Sequence, residues 1–160
     1  MSNHEILGGE MKREIKFRAW DKKTECYLYN IQDAYDTLSG HVKYDDGENA
    51  CYDEDCFEDF LDNERYVVEQ FTGLHDKNGR EVYEGDIVKV FDDDGDSFVS
   101  DISWQKDYPA FDLVRWPNHY YDSNALSAIV SGNTKQTMEV VGNVYENPEL
   151  LEADKWAGKR

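Results

Sequence analysis

Between residues 66 and 115 the chain never runs far without a turn signal. Residues 66–71, YVVEQF, carry the β-branched and aromatic side chains that suit a pleated strand. Residues 73–79, GLHDKNG, read as a turn that ends in Asn78-Gly79, a dipeptide favoured in tight hairpins. Residues 81–83 form a short strand, 84–86 (Glu-Gly-Asp) a turn and 87–91 a strand. DDDGD at 92–96 turns again, and 98–104 and 111–115 continue the series. Typical helices run through eight or more residues without such a break. A series broken this often predicts several short antiparallel strands, hence a small barrel or a coiled sheet.

The flanks extend the pattern. In residues 14–20, EIKFRAW, Ile15, Phe17 and Ala19 alternate with Lys16, Arg18 and Trp20, which predicts a strand with one apolar and one mixed face. Residues 21–23 turn and 25–29 return. Ile31, Tyr35 and Leu38 have helical spacing before Gly40, so a helix is expected over 31–38. Tyr52, Cys56, Phe57, Phe60 and Leu61 form one apolar face of a helix near 53–62. Residues 122–130 have a helical pattern through Leu126, Ile129 and Val130, and 139–145 a strand. Asn147 stands where a cap belongs, followed by Pro148 and a short helix over 148–152. The expected class is mainly β, a β-rich α+β fold with a few short helices. Ile15, Phe17, Val67, Phe71, Ile87, Val88, Val140 and Val144 are expected in the core. A single domain is expected over 13–152, with a flexible extension at 1–12 and a flexible tail at 153–160.

Charge narrows the partners. The chain has 35 acidic and 17 basic residues, a formal net charge of −18. Such a surface repels phosphate backbones and anionic lipids, which argues against direct nucleic-acid or membrane binding. It leaves room for a basic protein partner, and a homo-oligomer stays open. No stretch approaches the ~20 apolar residues of a membrane helix. Cys26, Cys51 and Cys56 are too few, and odd in number, for a disulfide framework. Reduced thiols fit a cytosolic protein.

Three blocks carry a resemblance: REIKFRAWD at 13–21, FTGLHDKNGREVYEGDIVKV at 71–90 and EVVGNVYENPELL at 139–151. In this order and spacing the chain resembles the YopX-like family, known mainly from phages and prophages. The resemblance implies coiled β-sheets containing an SH3-like barrel, and a place in the bacterial host cytoplasm. It brings no catalytic or ligand residues with it. The family pattern more often has Lys where this chain has His75, which argues against a catalytic His75.

The candidate residues fall into two groups. Gly73, Asp76, Gly79, Gly85 and Asp86 are expected to serve turn geometry: glycine reaches positive φ, and Asp bonds nearby backbone amides. The second group is acidic. Residues 45–64 hold ten acids and no base, and 91–101 hold five more acids and no base. Asp53, Glu54, Asp55, Glu58, Asp59, Asp62 and Glu64, with Asp92, Asp93, Asp94 and Asp96 at the DDDGD turn, are the candidate partner-binding surface. On a twelve-residue helix the first seven would space one charge every ~2.6 Å, against one per ~1.7 Å on duplex DNA. That spacing raises the alternative of a nucleic-acid mimic that blocks a host nucleic-acid-binding or defence protein.

No cofactor or metal is expected. DDDGD fits the first positions of a calcium loop, but Ser97 and Ser103 stand where Gly and Glu belong. Cys51, Cys56 and His41 lack a fourth zinc ligand. No catalytic motif is present, so the expectation is a binding protein, the rival class being an enzyme acting on a small substrate.

Overall fold

The structure, a computed structural model, describes residues 13–36, 39–106, 109–115, 126, 129 and 135–152. Among the described residues eight strands make two four-stranded sheets. They are β1 (Phe17–Asp21), β2 (Cys26–Tyr29), β3 (Tyr66–His75), β4 (Glu81–Tyr83), β5 (Asp86–Phe91), β6 (Ser97–Trp104), β7 (Phe111–Leu113) and β8 (Thr137–Asn143). The sheet orders are β2-β1-β3-β4 and β7-β6-β5-β8. All pairs are antiparallel. The sheets curl into a half-barrel, an arrangement compatible with the SH3-like barrel that the resemblance implies.

Local chemistry sets the turns. Between β1 and β2 the Asp21 carboxylate accepts the Lys23 and Thr24 amides. Between β5 and β6 Asp92 Oδ1 accepts the amides of Asp94 and Asp96, so DDDGD is an Asx-stabilised hairpin tip. Asp76 does more than expected. Its Oδ1 accepts the Asn78 and Arg80 amides, and its Oδ2 accepts the Val140 amide of β8. The turn before β4 is thereby tied to the other sheet. The turn region is also shorter than its sequence suggests. β3 runs on to His75, and Gly73, at φ 88°, lies where the β3–β4 register shifts, marking a bulge rather than a turn.

Each sheet has its own core. Val88, Val90, Phe98, Ile102, Leu113, Leu126, Ile129, Met138 and Val140 pack together on the second sheet, joined by Val82 from β4 of the first. Ala19, Leu28, Ile31, Val42, Tyr52, Phe60 and Tyr66 pack on the first. Of the expected core residues, Phe71, Ile87, Val88 and Val140 are buried, while Phe17, Val67 and Val144 are half-buried. Ile15 is 54% exposed because β1 starts only at Phe17, so the alternation that would turn Ile15 inward has not begun.

The helices are shorter than their periodicity suggests. Among the described residues of 31–38 only a 3-10 turn forms, Ile31–Asp33, and the chain is extended at Ala34. Leu38 lies outside the described residues. The acidic helix is reduced to α1 (Phe57–Leu61). Five residues present one inward pair, Phe57 and Phe60, so Leu61 is left 54% exposed. Phe60 fits between the Tyr52 and Tyr66 rings, at 5.7 and 4.7 Å. Of residues 122–130 the described ones, Leu126 and Ile129, are helical and buried; the rest lie outside the described residues. Residues 149–152 are helical, but Asn147 does not cap forward: its Oδ1 accepts the Asn143 amide. The expected extension, tail and overall domain limits at 1–12 and 153–160 lie outside the described residues.

Candidate functional site

A buried arginine stands at the junction of the two sheets. Arg18, on β1, is only 2% exposed. Its Nε donates to Glu69 Oε1 of β3 at 2.9 Å, and its Nη2 donates to Asp86 Oδ1 of β5 at 2.9 Å. Nη2 also donates to the Glu84 carbonyl at 3.2 Å, and Nη1 to the Tyr29 hydroxyl at 3.5 Å. The guanidinium lies over the rings of Tyr27 and Tyr83, at 4.1 and 4.7 Å. Tyr27 donates its hydroxyl to Glu69 Oε1, and the Tyr83 amide donates to Asp86 Oδ2. Burying one such charge unpaired is prohibitive, and this constellation pairs and hydrogen-bonds all three.

Gly85 makes the arrangement possible. It sits in the turn between β4 and β5 at φ 88°. Its amide donates to Ile102 and its carbonyl accepts from Val144, so it joins β6 to the end of β8. A Cβ there would stand 2.2 Å from Glu69 Oε2. The turn therefore needs glycine twice, for its backbone and for the space that Glu69 fills.

Burial opposes the Arg18 charge, but Asp86 and Glu69 outweigh it and hold the guanidinium pKa above its ordinary value. Burial pushes the Glu69 carboxyl up to about 7, against the pull of Arg18 and the Tyr27 hydroxyl. Burial also raises Asp86, less the opposing pull of Arg18. Two carboxylates sharing one cation away from water leave an excess negative charge, and a proton on Glu69 relieves it. A folded-state pKa above the ordinary value contributes stability that is complete below about 4.5 and is lost as pH rises through about 7. The urea midpoint is therefore expected to fall from pH 6 to pH 9, a loss of about 1.4 kcal/mol, because one pH unit separates pH 6 from the folded pKa of about 7. Glu69→Gln should flatten that fall. A wild-type midpoint that is level across the range contradicts the protonated Glu69.

A second ion pair closes the far end of β1. Arg65 donates Nε and Nη2 to the two oxygens of Asp21, each at 2.8 Å. Burial alone would raise Asp21, but the bonds from Arg65, Lys23 and Thr24 hold its pKa at about 2. Its contribution is present above about 4 and is lost as pH falls through about 2, well away from the Glu69 window.

The acidic candidates separate. Asp53, Asp55, Glu58, Asp59, Asp62 and Glu64 are exposed. Glu54 is not among them: it is 8% exposed, accepts the Tyr66 hydroxyl and takes the Asp53 amide at 3.1 Å. The twelve-residue helical ridge is absent too, since α1 has five residues. Residues 53–55 lie outside the helix, which starts at Phe57, so the regular spacing that suggested a nucleic-acid mimic does not form. At the β5–β6 tip Asp93, Asp94 and Asp96 are exposed and Asp92 is half-buried, bound to its own turn.

Sequence reasoning missed Arg18, Glu69 and Tyr27, placed the buried Glu54 on the partner-binding surface, and gave Asp86 only its turn role. The usable signal was an arginine set between the apolar Phe17 and Ala19-Trp20 in a short strand. Two open clefts lie near these elements. One, of about 580 Å³, is lined by Lys23, Tyr44, Cys51, Asp53 and Arg65 among others. The other, of about 260 Å³, lies beside Tyr27 and Tyr29. Among the described residues no helix is long and apolar enough to cross a membrane.

Comparison with known proteins agrees with the fold. The chain is similar to protein EF1440 from Enterococcus faecalis, at 28% identity over 88% of this chain and 99% of that one, with a TM-score of 0.53. It also matches the yopX protein from Bacillus subtilis at 19% identity, over 85% of this chain and 97% of that one, with a TM-score of 0.47. None of the curated proteins matches. The family model described as YopX protein matches residues 16–152, a span that includes every member of the Arg18 network, and on that match the chain belongs to the YopX family.

Proposed function

We propose that this chain is a binding protein rather than an enzyme: a phage or prophage accessory protein that holds a basic protein partner against its acidic surface in the bacterial cytoplasm. One observation carries the reading. Asp53, Asp55, Glu58, Asp59, Asp62 and Glu64 are all exposed around a five-residue helix. Among the described residues only Asp53 has a cation beside it, Arg65 at 3.4 Å. These like charges crowd one short stretch of surface and repel one another, so they add nothing to the fold. A basic partner would relieve them. The same field disfavours nucleic acid and anionic lipid. The shifted carboxylates, by contrast, are already paired: Glu69 and Asp86 with Arg18, and Asp21 with Arg65.

The test is the variant Asp55→Asn, Glu58→Gln, Asp59→Asn, Asp62→Asn, which keeps shape and removes four charges. Glu54 is left alone because it is buried. The isolated variant should melt at the wild-type temperature or slightly above. A partner captured from the natural host should associate more slowly with the variant, and with a weaker salt dependence. If that partner binds both proteins equally at low salt, the surface is only a solvated face.

A further inference from the structure

We infer that the cleft of about 260 Å³ between β2, the loop at 44–46 and the turn after β8 is a receptor for a single arginine side chain presented by the protein partner. The inference rests on the binding reading above and names the place where the partner is gripped.

Size selects a side chain. Pockets for drug-sized ligands hold ≈ 300–1,000 Å³, and this one falls below them. Charge selects a cation. Asp45, Asp46 and Glu146 line the cleft against one base, Arg80. Cys26 and Asn143 complete the lining with three tyrosines, of which Tyr27 is buried under Arg18, leaving the half-buried Tyr29 and Tyr44 as the aromatic walls. Aromatic faces attract cations, and a planar guanidinium can stack on a ring while it bonds a carboxylate through two N–H groups. An ammonium is a point charge and gains less from such walls.

The lining is held in place before any ligand arrives. The loop is a tight hairpin, with the Tyr44 amide bonded to the Glu48 carbonyl and the Gly47 amide to the Tyr44 carbonyl. Tyr29 and Lys43 exchange backbone hydrogen bonds, which fixes the loop to β2. Asp46 Oδ1 accepts the Glu48 amide, and Glu146 Oε1 accepts from Asn143 Nδ2 at 2.8 Å. Fixed groups need not be ordered on binding, which strengthens a small site. The chain already uses this chemistry once. Arg18 lies over tyrosine rings with two carboxylates around it, and Tyr27 is common to that network and to the cleft.

The experiment is a titration of the full-length, 15N-labelled protein followed by its amide resonances at constant ionic strength. The probes are N-acetylarginine amide, N-acetyllysine amide and the uncharged isostere N-acetylcitrulline amide. The arginine probe should give saturable shifts at Tyr44, Asp45, Asp46 and Tyr145. Lysine should bind more weakly, and citrulline at least tenfold more weakly. Asp45→Asn, Asp46→Asn, Glu146→Gln should reduce arginine binding at least tenfold, with the remaining spectrum unchanged to show that the fold is intact. The variant neutralised at Asp55, Glu58, Asp59 and Asp62 should keep it. No saturable shift with arginine, equal binding of citrulline, or full binding by the cleft variant each overturns the receptor. The acidic surface near α1 is judged separately by partner association with the other variant, so the two readings fail on different measurements.

Discussion

Replacement of Arg18 by Met is expected to leave much of the protein unfolded at neutral pH. Met keeps an unbranched stem between the Tyr27 and Tyr83 rings but removes the charge that pairs Glu69 and Asp86, each bonded to Arg18 at 2.9 Å. Both carboxyl groups then stay buried without a cation. Breaking a buried pair by removing one partner costs about 3–5 kcal/mol. Domains of this kind have only about 5–15 kcal/mol in total. The loss should appear as a large drop in the urea midpoint with an unchanged slope. Adding Glu69→Gln and Asp86→Asn to Arg18→Met should recover part of it, because neutral amides are cheaper to bury than unpaired charges. A single variant that melts like wild type would show that water reaches the network and that the strut adds little.

Gly85→Ala is the second large effect. Two causes add at one atom. Alanine at φ 88° costs at least about 1 kcal/mol. Its Cβ would also lie 2.2 Å from Glu69 Oε2 and 2.7 Å from Glu69 Cδ. Glu69 must then move and loosen its bonds to Arg18 and Tyr27, which exposes part of the cost of an unpaired buried charge. A total of at least about 3 kcal/mol is expected. Gly79 is the control. It has nearly the same φ, 85°, and nothing within 4 Å of its would-be Cβ, so Gly79→Ala should cost only about 1 kcal/mol. Glu69→Ala removes the clash, so the double variant with Gly85→Ala should lose clearly less than the sum of the singles. Equal losses at Gly79 and Gly85 would mean that Glu69 swings aside freely.

Local features of the fold were legible from the residues alone. The Asp92 and Asp21 turns, the hairpin at Asn78-Gly79 and the buried faces of β5 all follow from chemistry within a few residues of each site. The three blocks that carry the family resemblance also hold Arg18, Asp21, Tyr83, Gly85, Asp86 and Asn143. They marked the network without explaining it. Tyr27, Tyr29 and Glu69 lie outside those blocks; Glu69 stands just before the middle one and looked like an ordinary polar position in a strand.

Where the sequence misled, the cause was distance along the chain. Alternation placed Arg18 on a half-polar face, and nothing nearby says otherwise. Its partners are 51 and 68 residues away, and only the pairing of β1 with β3 and the turn before β5 bring them together. The acidic segment at 53–64 has helical periodicity, yet Glu54 is drawn inward by Tyr66, twelve residues on, and the helix starts only at Phe57. Periodicity and turn chemistry report energies that neighbours along the chain supply, and these set strands, turns and the mainly β class. Burial of a charge is decided by whether distant groups arrive to pair it. The strut at Arg18, the loss of Glu54 from the surface and the cleft beside Tyr29 therefore belong to the tertiary structure.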